Sequence, residues 1–162
     1  MNKKIVALYR AWELAGYPPQ EPLEITLLKE NWIREFNEQE VFIKSLPNHI
    51  GREEVRQICE SRDYRVSEKF FVTMIWGYSD RGYGPYRVRR ILGEKNFLHR
   101  VEKLYEYCSL GDVERAYVFS KENSIKGFGP SYVTKFLNFC TPRKFGAPIF
   151  DSLVLKWIDK EA

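Results

Sequence analysis

The sequence predicts an all-α protein, and three observations carry that prediction. Apolar residues recur at helical spacing almost throughout, alternating strand-type runs are scarce, and glycine or proline punctuation separates the amphipathic stretches. With 162 residues, 44% of them hydrophobic, the chain can bury one core but falls short of two ordinary domains. A single all-helical domain over residues 1–162 is therefore expected, with no internal repeat and no linker.

Helices are expected at about residues 3–15, 22–45 (as one run or two), 51–61, 67–78, 85–93, 95–108, 112–122, 130–140 and 149–160. Gly16 to Pro19 ends the first, and Pro47 with Asn48 ends the second. The stretch SDRGYGPY (79–86) closes the helix at 67–78, in which Phe70, Phe71, Met74 and Ile75 leave little polar surface; that helix should lie in the core. IKGFGP (125–130) and TPRKFGAP (141–148) punctuate the last part of the chain. Residues 1–60 carry no interpretable motif: Trp12, Trp32 and Phe36 read as core. Trp76 reads as core too, or as a pocket wall.

Net charge is only +4, but it is unevenly placed. Residues 1–60 hold eight Lys/Arg against ten Asp/Glu, leaving eighteen against twelve downstream. A basic downstream face suits phosphate contacts, whose affinity falls with salt because each neutralised phosphate releases counterion; an ordinary solvated surface would look the same by charge alone. Aromatic residues make up 15% of the chain, more than a minimal core needs, which leaves rings for stacking on bases or for an interface.

Cys59, Cys108 and Cys140 are too far apart in sequence for a zinc or iron-sulfur motif, so they read as buried thiols in a reducing compartment, and neither metal nor cofactor is expected. Arg10 and Glu13 interrupt the apolar residues near the N-terminus, and no segment has the length of a membrane span. A cytoplasmic protein, nucleoid-associated in a bacterium, is the expectation.

The most informative stretch is SIKGFGPSYVTKFLNFC (124–140), where one helix stops, two glycines bracket a phenylalanine, and a second helix begins at a proline. Gly127 and Gly129 have no side chains to keep a phosphate from their amides, and Pro130 suits the first turn of the following helix. The open amides of Ser131 and Tyr132 would then face outward at a positive helix end, with Lys126 and Lys135 able to add charge. A tight helix connection with glycine as a cap is the plainer alternative.

This hairpin, the helix YVTKFLNF behind it and the segment PIFDSLVLKWI resemble the helix-hairpin-helix (HhH-GPD) DNA glycosylase superfamily over roughly residues 66–158, with 112–155 carrying most of the likeness. In that superfamily the motif continues through a Gly/Pro-rich loop to a catalytic aspartate. Here Asp151 stands twenty-two residues after Gly129, with Pro148 before it. The resemblance implies an enzyme that flips a base out of double-stranded DNA and cuts its bond to the sugar. Hairpin 125–131 would grip the backbone, and Asp151 would stabilise the oxocarbenium-like sugar and orient water. Asp151 also suits a helix N-cap, and the two roles are compatible.

Bifunctional family members place a nucleophilic lysine two positions after the second hairpin glycine; this chain has Ser131 there. A monofunctional, hydrolytic enzyme is implied, with strand-cleaving activity weak or absent; Lys126 and Lys135 stay open as substitutes, though phosphate contact or solvent suits both. The inserting segment of the family corresponds to Tyr78, Ser79, Asp80 and Arg81, without its usual Asn or Gln. Its continuation interleaves Tyr83 and Tyr86 with Arg81, Arg87, Arg89 and Arg90, and nucleic-acid contact through Ser79, Arg81, Tyr83, Arg87, Arg89 and Arg90 is expected.

Within the superfamily the likeness is to 8-oxoguanine DNA glycosylases, since the cluster cysteines are missing and aromatic helices are numerous. The chain ends eleven residues after Asp151, where the family continues with further helices, so a C-terminally truncated form is expected. Two other readings stand beside the enzyme: a noncatalytic helix-hairpin-helix DNA-binding module, and a helical interaction protein whose Gly-Phe-Gly turn is incidental.

Overall fold

The structure is a computed structural model that describes residues 24–78 and 82–149. The chain enters as β1 (Ile25–Thr26), followed by α1 (Lys29–Glu35), a 3-10 turn (Asn37–Gln39), α2 (Glu40–Ser45) and β2 (His49–Ile50). Then come α3 (Arg52–Glu60), α4 (Val66–Tyr78), α5 (Gly84–Leu92), α6 (Phe97–Ser109), α7 (Val113–Glu122), α8 (Pro130–Cys140) and a 3-10 turn (Arg143–Phe145). The architecture is all-α, with one two-stranded antiparallel pair among the described residues.

One stretch departs from its helical expectation. Instead of a helix from residue 22, Ile25 pairs with Ile50 and Thr26 with His49, and Leu27 N donates to Asn48 O at 2.8 Å. Adjacent β-branched residues disfavour a helix here, and pairing with the strand that follows Pro47 and Asn48 lets Ile25, Leu27 and Ile50 bury their side chains. The rest of 22–45 is broken at Phe36, whose φ of −132° and ψ of 62° end α1 before α2 begins. The expected helices at 3–15 and 149–160 lie outside the described residues.

Helix α4 is the centre of the molecule and packs against α3, α5, α6 and α8. Its Phe70, Phe71, Val72, Met74, Ile75, Trp76 and Tyr78 are all buried, so it is apolar around nearly its whole circumference, as a fully enclosed helix must be. Glu68 turns back to accept from Arg65 N at 2.8 Å, satisfying an amide at the start of α4. Lys69 is buried too; its ammonium donates to Tyr105 Oη at 2.7 Å and lies 4.4 Å from the centre of that ring.

Cap chemistry accounts for several helix starts. Glu54 accepts from Gly51 N at 2.8 Å before α3, and Asp112 accepts from Arg115 N at 3.1 Å before α7. Pro85 and Pro130 occupy the first turns of α5 and α8, where a missing N–H costs nothing. At Gly84 a β-carbon would stand 2.8 Å from Tyr78 Cβ, so only glycine lets α5 approach the end of α4 this closely. The end of α8 and the residue after it are tied back to α3: Arg56 donates to Asn138 Oδ1 at 3.1 Å and to Thr141 O at 3.3 Å.

Candidate functional site

Helices α7 and α8 run against each other and are joined by a hairpin whose tip is IKGFGP. Phe128 N donates to Ile125 O at 3.0 Å, closing the turn, and Gly127 has a φ of +85°, a conformation that L side chains rarely adopt. Phe128 drops into the core between Phe70 (centroids 5.2 Å) and Phe136 (6.4 Å). Its two glycine neighbours stay exposed while the ring between them is buried. The turn is thus pinned from below and open from above.

Gly129 precedes α8 in an extended conformation that any residue could adopt, and a β-carbon there would meet nothing within 4 Å. Gly129 O accepts from Tyr132 N at 2.9 Å and from Val133 N at 3.0 Å. No backbone carbonyl of the described residues accepts from the amides of Gly129 or Ser131. Such a helix start, with bare backbone and the positive end of the helix dipole, can receive an anion. A concave surface of about 560 Å³, lined among others by Tyr117, Ser120, Lys121, Ser124 and Ser131, lies on this side of the hairpin.

On the other side a cleft of about 340 Å³ separates the hairpin from α5. Arg87, Arg90 and Ile91 line it from α5, Glu94 from just beyond that helix, Lys126 and Gly127 from the hairpin, and Tyr78 from the end of α4. The positions 87, 90 and 91 follow one face of α5, which is why they converge. Three cations against one carboxylate give this cleft a positive field. Each arginine also lies over a tyrosine ring: Arg87 is 4.7 Å from Tyr83 and Arg90 5.9 Å from Tyr86, with both rings exposed.

Arg89 is not brought to this group. It points to α1 and the turn after it, donating to Glu38 at 2.8 and 3.4 Å, pairing with Glu35 at 3.4 Å and covering the Phe36 ring at 4.3 Å. The hydrogen bond from Arg89 holds the Glu38 carboxyl below the usual carboxylate range. Ser79, Arg81 and Asp151 lie outside the described residues. Tyr78, expected at the start of an inserting segment, is instead buried and stacked on Tyr132 at 4.6 Å.

Lys135 and Ser131 are brought together. They lie one turn apart on α8, and Lys135 Nζ donates to Ser131 Oγ at 2.8 Å, with the ammonium 5.4 Å from the Tyr132 ring. Gly77 and Tyr132 carry no motif that marks them in the sequence, although glycine inside the otherwise apolar helix 67–78 is a visible signal. A β-carbon at Gly77 would stand 3.2 Å from Tyr132 Cε1 and 3.4 Å from Lys135 Cδ. The missing side chain makes room for both residues.

The three cysteines are buried thiols. Burial pushes the Cys140 thiol well up, and the neighbouring Cys108 and Cys59 push it further, so it is not a thiolate nucleophile. Among the described residues no group of three or more His, Cys, Asp or Glu could hold a metal ion. No helix among them is long and apolar enough to cross a membrane.

Compared with known proteins, residues 19–162 match the family model described as "Putative 8-oxoguanine DNA glycosylase OGG-like protein". No curated protein and no solved structure matches the chain.

Proposed function

The chain belongs to the family of 8-oxoguanine DNA glycosylase OGG-like proteins, and from that premise we propose that it is a base-excision enzyme that flips a modified purine out of double-stranded DNA and hydrolyses its N-glycosidic bond. The observation that carries the proposal is the meeting of the Gly127–Pro130 turn with the basic cleft of Arg87, Arg90 and Lys126. In this reading α7, the hairpin and α8 form a helix-hairpin-helix motif. The amides of Gly129 and Ser131 hold one phosphate of the damaged strand, while the cleft cations hold neighbouring phosphates.

Tyr83 and Tyr86, each paired with an arginine, offer exposed ring faces beside that backbone. They are assigned to contacts with unstacked bases around the flipped nucleotide. Base release is assigned to Asp151, on its spacing after Gly129 and on Pro148 before it. Departure of the base develops positive charge on the sugar, which a carboxylate stabilises, and a water aligned by the same carboxylate then captures C1′. An oxidised purine is the proposed substrate, on the strength of the family description.

The test is base release from duplexes that each carry one modified base, with the native chain and the Asp151→Asn variant compared and abasic sites read after alkali. Release of an oxidised purine by the native chain and not by the variant is expected. Salt-sensitive DNA binding without release from any duplex would overturn the enzymatic reading in favour of a noncatalytic DNA-binding module.

A further inference from the structure

We propose that Asn138 is a positioning residue of the base-release reaction, holding the carbonyl of Ala147 and thereby fixing where the chain sets out toward Asp151. The inference rests on the reading of Asp151 given above and adds a residue that acts through the backbone rather than on the sugar.

Its basis is the seating of the loop after α8, which is fastened at intervals. Thr141 O accepts from Arg56, Arg143 pairs with Glu53, the Phe145 ring lies on Gly111, and Asn138 Nδ2 donates to Ala147 O. The seat at Gly111 is shaped for its occupant: a β-carbon there would collide with the Phe145 ring, and a φ of +86° already favours glycine. Ala147 is buried but contributes only a methyl group, so its carbonyl is the directional part of the attachment.

The Asn138 amide is itself oriented. A guanidinium only donates, so Arg56, at 3.1 Å, selects the amide oxygen and turns the NH2 group toward the Ala147 carbonyl. Leucine would serve the last turn of α8 better than asparagine does, so helix formation does not explain this residue, whereas its two hydrogen bonds do.

Chain length converts the anchor into a position. Asn138 lies seven residues after Ser131, nearly two full turns, so both stand on one face of α8 about 10 Å apart along its axis. Asp151 follows Ala147 by four residues, and four residues span at most about 14 Å. That reach takes in the open amides at the first turn of α8 and excludes most of the surface beyond. Without the anchor, the nearest of the other contacts is Phe145, six residues before Asp151, and the carboxylate gains room to wander. A carboxylate that must stand beside the sugar depends steeply on its placement, and a displacement of about 1 Å can slow a reaction about 100-fold.

The experiment measures DNA affinity and single-turnover base release from duplexes that each carry one oxidised purine, 8-oxoguanine among them, for the full chain and for Asn138→Asp. Aspartate keeps an acceptor for Arg56 but sets a carboxylate against the Ala147 carbonyl, so the second bond alone is lost. Release about 100-fold slower with unchanged affinity, at a temperature where both proteins are folded, is expected. Arg56→Gln, which leaves the amide free to turn, should slow release less. If Asn138→Asp does not fold, Asn138→Leu, of similar volume, takes its place. Hydrogen exchange of the amides at 144–149 reads the anchor without turnover; it should quicken in the variant while the hairpin 125–131 keeps its protection. Release by the native chain with the variants equally fast would overturn the positioning role alone. No release by the native chain would overturn the enzymatic reading and the catalytic part of this proposal with it, and unchanged exchange would overturn the anchor in either case.

Discussion

Phe128 meets Phe70 edge to face, with ring centroids 5.2 Å apart. A residue at the tip of an exposed hairpin is thereby joined to the most buried helix among the described residues, and the backbone on either side of it is held in place. Phe128→Ala is expected to cost about 3–5 kcal/mol, the usual range for emptying a buried phenylalanine site. Chemical denaturation checks this, and an undiminished stability would show that the hairpin is not pinned by its ring.

The two hairpin glycines should respond differently to alanine. At Gly127 a positive φ makes any side chain unfavourable by about 1–2 kcal/mol, and the new carbon would also press on Ile91 Cγ1 at 3.1 Å. Gly129→Ala meets neither obstacle, so its stability should stay within about 0.5 kcal/mol of native. Its DNA affinity should still fall, because the added methyl would stand where a phosphate approaches the amide. Melting curves and binding isotherms on the two variants separate the effects; equal DNA affinity of Gly129→Ala and native would remove the phosphate from this amide.

Salt dependence distinguishes the arginines of α5. Arg87→Gln and Arg90→Gln should each lower the slope of log affinity against log salt by roughly 0.9 for each phosphate that is no longer neutralised. Arg89→Gln should leave that slope unchanged, since its guanidinium is engaged by Glu35 and Glu38 on another face. A slope reduced as much by Arg89→Gln as by the other two would contradict the division of α5 into two charged faces.

Much of this was legible from the sequence where the controlling physics is local. The helix expected at 130–140 is α8 as found, and that at 112–122 differs from α7 by one residue, because Asp112 as a cap and Pro130 in a first turn are signals written in adjacent positions. The pairing of Ile25 with Ile50 was not legible, since a two-residue strand has no periodicity and its partner is distant in sequence. Distance hid the engagement of Arg89 too, as its partner Glu38 is fifty-one residues away. The contact of Lys135 with Ser131 lay within reach of i, i+4 reasoning, but its crossing over Gly77 needed the packing of α4 on α8.

The Arg89–Glu38 pair carries a pH dependence with a definite sign. Glu38 has its carboxyl held below the ordinary range in the folded state, so its contribution is fully present above the unfolded-state value and is lost as pH falls through the folded one. Both partners are substantially exposed, which makes the effect small. The melting-temperature gap between native and Arg89→Gln should therefore be widest near neutrality and narrow as pH falls below the usual carboxylate range. A gap that widens toward acid would assign it to something other than this pair. The Arg89 guanidinium lying over the Phe36 ring should leave a part of the gap that does not titrate.

Gly77→Ala probes how finely the α4–α8 crossing positions its side chains. Alanine favours the helix by about 1 kcal/mol, while its methyl would sit 3.2 Å from the Tyr132 ring, tighter than ordinary contact. These terms oppose each other, so stability should remain within about 1 kcal/mol of native. The ring must nevertheless give way by a few tenths of an ångström, and with it the Tyr78 stack and the stem of Lys135. A protein that melts close to native but whose near-ultraviolet tyrosine circular dichroism differs from native is the expected result, because the Tyr78–Tyr132 stack must shift. An unchanged spectrum with lowered stability would mean that the stack stays in place and the crossing takes up the strain elsewhere.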